Sequence, residues 1–329
     1  MDARFPDRET IHTALSLATR APSVHNSQPW RWRVAGHSLH LYADLDRHLG
    51  CTDPDARDLI LSCGLSLHHC AVAFAALGWQ TKIHRLPNPN EPEHLAALEL
   101  HRHPANAIDV TLAAAIPRRR TDRRHYSAWP VPPSDIALMG ARAARAGVML
   151  RQVESLPDLQ QIVAQAAWQH AMDRDYVSEL TTWSGRYASV AGVPAHNTPK
   201  PDPAAPLPGR FFAGPVLAQP PDTESAVDNA VVLALGTKDD SLLARLRAGE
   251  ATSVVLLTAT SLGLASCPIT EPLEIVATRD AVQTDVFGID AFPQMLLRIG
   301  WAPVNADPLP PTPRRPLAEV VEWLHVADT

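Results

Sequence analysis

Across residues 59–77 the chain carries small and apolar side chains on nearly every face of a would-be helix. A helix of that kind has to be buried all round rather than laid on a surface. Gly64 opens its central part, and Gly78, fourteen residues later, supplies a C-terminal stop. The same separation returns at Gly249 and Gly263, around another small, apolar run at 251–262. Each segment ends in Leu-Gly and then an apolar residue, Trp79 or Leu264. Any two buried helices share this character, so the segment after each one matters: 79–85 reads as a strand, and 265–270 occupies the equivalent place. The pattern leads us to expect an internal duplication, with the two helices packed as the seam between pseudo-two-fold halves.

Strand candidates flank these helices. Residues 30–34 and 39–42 alternate apolar and polar, as a half-solvated hairpin does, with 35–38 as the turn. Residues 148–153, 230–235 and 295–299 supply strands for the second half. Helices are expected at 9–20, 91–100, 108–116, 134–146, 156–183 and 271–287, which makes the chain α+β. We divide it into a reduced first half, 1–110, and a second half, 111–329.

Two proline-rich segments differ in kind. Nine prolines fall between 193 and 221, a density that excludes regular helix or central strand. An insert this long is usually functional or disordered, and Phe211-Phe212 suggests that it docks as a lid spanning about 186–222. The second segment belongs to a C-terminal arm at 303–329, containing Pro313-Arg-Arg-Pro-Leu-Ala-Glu.

Charge and motifs exclude several classes. A net charge of -6 gives no electrostatic reason for nucleic acid or an anionic membrane as partner. No long apolar run or apolar leader is evident, so a cytoplasmic protein is expected. Four cysteines, at 51, 63, 70 and 267, form no disulfide framework. His68, His69 and Cys70 lack a second pair at zinc spacing and read as buried side chains. The chain has no Gly-x-Gly-x-x-Gly after a strand, P-loop, Gly-x-Ser-x-Gly elbow or His-Glu-x-x-His.

The run from Arg118 to His125 concentrates positive charge in an otherwise acidic protein. Guanidinium forks with the Thr121 hydroxyl suit a phosphate; the bland alternative is a solvated charged turn. Upstream, Pro22 stops the first helix, and Ser23 and Asn26 suit a polar turn. The full string from Arg20 to Trp30, Arg-Ala-Pro-Ser-Val-His-Asn-Ser-Gln-Pro-Trp, is far more specific than its parts.

That string resembles the nitroreductase superfamily of FMN proteins, and within it the Acg-like branch with two fused nitroreductase-like halves. Arg119-Arg-Thr-Asp-Arg123, Gly263-Leu-Ala-Ser-Cys-Pro-Ile-Thr270 and the 313–320 arm extend the resemblance over nearly the whole chain. In ordinary nitroreductases the arginine element precedes the Pro-Ser turn closely; here it comes about a hundred residues later. The resemblance implies one FMN held between the two halves of a pseudo-dimeric monomer. Its phosphate would fall to Arg119, Thr121, Arg123 and Arg314, and its N5 edge to Pro268, Ile269 and Thr270. The first half would contribute Pro22, Ser23, Val24, His25 and Asn26. NAD(P)H and a small-molecule electron acceptor would be the partners of an oxidoreductase with a covered site. The alternative is an FMN storage or sequestration protein with little turnover. No catalytic side chain and no metal are assigned.

Overall fold

The computed structural model describes residues 5–185, 189–200, 205–219, 228–303 and 305–324. In the first half, helix α1 (Arg8–Ala18) leads into strands β1 (Trp30–Ala35) and β2 (Ser38–Ala43). Helix α2 (Arg57–Ala76), β3 (Trp79–Arg85), β4 (His94–Arg102) and α3 (Ala107–Ala115) come next. The second half runs through α4 (Pro133–Arg145), β5 (Met149–Gln152), α5 (Leu156–Met172) and α6 (Arg174–Thr182). It continues with β6 (Val231–Thr237), α7 (Leu242–Ser261), β7 (Ala265–Ile269), α8 (Glu271–Glu274), α9 (Val276–Val282) and β8 (Phe292–Gly300). Helix α10 (Leu317–Val320) and β9 (Val321–Leu324) complete the described elements.

The strands form two sheets, in the orders β3-β4-β2-β1-β9 and β5-β6-β8-β7. Helix α2 packs on the first sheet, α7 on the second, and the two helices on each other. Their crossing explains the paired glycines. A methyl group on Gly64 would overlap the Leu246 carbonyl oxygen, and one on Gly249 would overlap that of Leu61. The contact is therefore reciprocal, each glycine lying over the carbonyl three residues before the other. One hydrophobic core runs across it, from Leu15, Trp30 and Phe74 through Leu246 and Val255 to Leu297 and Ile299. Helix α2 is long and apolar enough to cross a membrane by composition, but 78% of that window is buried inside the protein.

Several expectations need correction. Residues 91–100 are not a helix: 94–102 form β4, paired on one edge with β2 and on the other with β3. The Ala, Leu and Glu in that run favour helix locally, but the two flanking strands override the propensity. The helix expected at 156–183 breaks at Asp173, whose side chain accepts the N–H groups of Asp175 and Tyr176 and starts α6. The one expected at 271–287 breaks at Ile275, where the backbone is extended (ψ 128°). Strand β9 is absent from the expected set. It pairs parallel with β1, so residues 321–324 complete the sheet built from strands between residues 30 and 102.

Candidate functional site

After α1 the chain turns through a short 3-10 segment, Val24–Asn26, with three non-glycine residues in the left-handed region. These are His25 (φ 43°), Asn26 (φ 54°) and Gln28 (φ 54°). Such backbone persists only where its surroundings over-determine it, and it gathers at functional sites. Here Ser62 Oγ accepts from Val24 N at 3.1 Å and Ser23 Oγ from Gln28 N at 2.9 Å. Asn26 Nδ2 donates to the carbonyls of Gly192 and Pro313, and Gln28 ties the turn to Val190 and Arg315. The turn is thus fixed jointly by α2, by the proline-rich insert and by the C-terminal arm.

Pro22, Ser23, Val24 and His25 form one wall of a cavity. Asp58, Leu61, Ser62 and Leu65 of α2 and Thr252 of α7 form its floor. The second half contributes Thr121, Arg123, Arg124 and His125 from the basic run, and Cys267, Pro268, Ile269 and Thr270 from the end of β7. The insert supplies the remaining wall through Pro199, Lys200, residues 205–210, Phe212 and Gln219. Of the expected lid, residues 186–188, 201–204 and 220–222 lie outside the described residues.

The insert is fastened by Arg210. Its guanidinium pairs with Glu274, donates to His25 Nε2 at 2.7 Å and lies 3.8 Å from Glu271. Glu274 also accepts from the Thr270 hydroxyl at 2.7 Å, and His170 stands 3.3 Å from Glu271. Burial alone would lower the Arg210 pKa, but the Glu274 carboxylate and its neighbours raise it, so the cation is secure. Burial, and next the Arg210 charge, push His25 well below the usual histidine range. A neutral imidazole is what lets Nε2 accept from Arg210. Phe212 meets the His25 ring edge-on at 5.9 Å, and the Arg123 guanidinium lies 4.9 Å from the Phe212 ring centre.

Three expected site residues do not line this cavity. Asn26 is a brace, its side-chain Oδ1 accepting from Arg314 at 3.0 Å. Arg119 and Arg314 instead line a smaller pocket with Arg20, Arg120, Ile116 and Thr312, one residue of the basic run away from Thr121. Arg314 spends its N–H groups on the carbonyls of Thr19, Arg20 and Ala21 at the end of α1, and on Thr312 and Pro313. Arg119 is different. It is buried, and its Nε and Nη1 have no hydrogen-bond partner among the described residues; Arg20 Nε shares that state. Burial, then the charges of Arg120 and Arg20, bring Arg119 down to about 10; burial, then Arg119, bring Arg314 down to about 9. A buried guanidinium that lacks acceptors, set among other arginines that repel it, makes a pocket complementary to an anion.

Sequence reasoning missed Arg210, Glu271, Glu274, His170 and Asp58. Arg210 stands beside the Phe211-Phe212 pair that marked docking, and Glu271 and Glu274 are spaced to share a helix face; nothing local marked Asp58. His68 and His69 both meet Ser253 of α7 (2.7 and 2.8 Å), and no group of metal-ligating side chains occurs among the described residues.

No protein-family model matches the chain. A Mycobacterium tuberculosis protein provisionally named NAD(P)H nitroreductase Rv3131 is 64% identical over 323 residues, covering 98% of this chain and 94% of its own. A second protein of that organism, provisionally named NAD(P)H nitroreductase acg, is 37% identical over 321 residues, covering 95% of each chain. Among solved structures, an FMN-bound nitroreductase from Desulfitobacterium hafniense aligns with a TM-score of 0.42 at 13% identity, covering 65% of this chain and 98% of that one.

Proposed function

Because the chain belongs to the nitroreductase superfamily, we propose that it is an FMN-dependent oxidoreductase that takes electrons from NAD(P)H and passes them to a small-molecule acceptor. The observation that carries this reading is one cavity walled by the strained turn of the first half and by the β7 end and basic run of the second. The orphaned guanidinium nitrogens of Arg119 fit the phosphate of such a cofactor. Arg119 and the Thr121 hydroxyl would hold that phosphate with Arg123. Arg314, its donors already engaged, would add charge and fix the arm. Pro268, Ile269 and Thr270 would present backbone groups to the ring from one half. Pro22, Ser23, Val24 and His25 would meet it from the other, braced by Asn26. When bound, FMN supplies two-electron hydride chemistry, and the protein orients the ring and excludes water from it.

The same reading makes the chain two fused halves building one site. The equal glycine spacings, the reciprocal Gly64–Gly249 contact and the strand after each helix support it. The fastening of the insert by Arg210 supports a covered site, and it is also what would favour FMN sequestration over turnover. The visible spectrum of the natively purified protein, before and after anaerobic NADPH, separates the two. A flavin that bleaches within seconds supports the reductase. One that persists supports sequestration, and deleting the insert should then restore bleaching. A colourless protein that takes up no added FMN overturns both readings.

A further inference from the structure

Beneath the cavity lies a buried group of four carboxyls, Asp53, Asp58, Glu271 and Glu274, in contact with two guanidinium groups, those of Arg57 and Arg210. Arg210 is spent on Glu274, and Arg57 directs two of its nitrogens at the Gln294 carbonyl (3.2 and 2.7 Å). Even with the His170 imidazole beside Glu271 and Glu274, the four buried carboxyls outnumber the cations in contact with them, so the group retains a proton. The hydrogen bonds say where. Both Asp53 oxygens accept backbone N–H groups, from Asp58 at 3.0 Å and Leu59 at 2.8 Å, which favours its ionised form. Asp58 Oδ1 receives a single 3.3 Å bond from Arg57, and Oδ2 is buried with no partner among the described residues. Asp58 is 4% exposed and is the member of its pair with Asp53 that lines the cavity.

We propose that Asp58 is the proton donor of the cavity, a neutral carboxylic acid on the first turn of α2 that gives its proton to an oxygen of the acceptor as that acceptor is reduced. This rests on the reductase reading. With FMN bound and reduced, the acceptor would gain a hydride from it and one proton from Asp58, whose O–H bond breaks as the new O–H bond forms. The products would be the two-electron-reduced acceptor, oxidised flavin and the Asp58 carboxylate, which regains a proton from water. Burial raises the Asp58 pKa against the opposing charge of Arg57, and burial, then the Asp58 charge, push Asp53 up to about 8. The two titrate as a pair sharing one proton. Arg210 of the insert, Arg279 of α9 and Arg245 of α7 oppose this from further off. Glu274 of α8 reinforces it, while Asp240 is engaged by Arg245 and Gln294.

Asp58→Asn keeps the shape and removes the transferable proton. The infrared difference between the purified wild type and this variant at pH 7 should show a protonated carboxylic acid band that shifts in D2O. The acids of the pair have folded pKa values above their unfolded ones, so the native state binds the extra proton. The contribution of the pair to stability is therefore fully present below the ordinary carboxylate range, about pH 4, and is lost as pH rises through the raised values of the pair. The variant should lack much of that decline, which also shows that it folds. With 1,4-naphthoquinone as the probe, reoxidation of the NADPH-reduced holoenzyme should slow roughly a hundredfold in the variant. In the wild type, reoxidation should slow as pH rises and the pair loses its shared proton. No infrared band, a band unchanged by the substitution, or wild-type reoxidation by a flavin-loaded variant overturns the role of Asp58. A protein that takes up no flavin removes the reductase reading and the proton transfer with it, while the infrared band, if seen, survives.

Discussion

Arg119 carries the sharpest consequence at the scale of single residues. A buried guanidinium with two unpartnered nitrogens is costly in the protein alone and favourable once an anion meets it. Arg119→Met should therefore weaken FMN retention by about 1.5–3 kcal/mol, roughly tenfold to a hundredfold, while the FMN-free variant melts at or above the wild-type temperature. Equilibrium dialysis and thermal unfolding check the two halves of that statement, and unchanged affinity would remove Arg119 from the phosphate site. The sequence announced Arg119 because basic runs are visible as composition. It could not announce Arg210, Glu274 or Asp58, since a charge becomes unusual only when folding buries it among others. Nor could it show that Arg314 would spend its donors on the end of α1.

Helices and strands were legible where a pattern is carried within the element. The β1–β2 hairpin, with Gly36 at φ 56° in its turn, and the two glycine-marked helices are of this kind. Elements decided by their neighbours were not: β4 is a strand because β2 and β3 flank it, and β9 exists because β1 offers an edge. The α2–α7 crossing gives the test at this scale. Gly64→Ala forces a methyl group into the backbone of the partner helix, which cannot move away as a side chain could. We expect a loss of about 1–3 kcal/mol or more. Gly147→Ala also replaces a glycine, but one with open space around it and φ 77°, and should cost about 1 kcal/mol through strain alone. Equal losses in urea unfolding would mean that the two helices cross with room to spare.

For the whole molecule, the halves are bound together well beyond the seam. Arg85 of β3 forms a two-pronged ion pair with Glu250 of α7 at 2.7 and 2.6 Å, and Glu179 of α6 accepts from Cys51 and Thr52 of the first half. The C-terminal arm crosses to place β9 on the first sheet. The cavity takes its lining both from residues between 22 and 65 and from residues 121 onward. The central claim, that one chain builds one flavin site from two halves, is tested most directly by native mass spectrometry of the protein equilibrated with FMN. One FMN on a single chain is the predicted species. Bare chains in excess FMN, or two FMN on one chain, would contradict it.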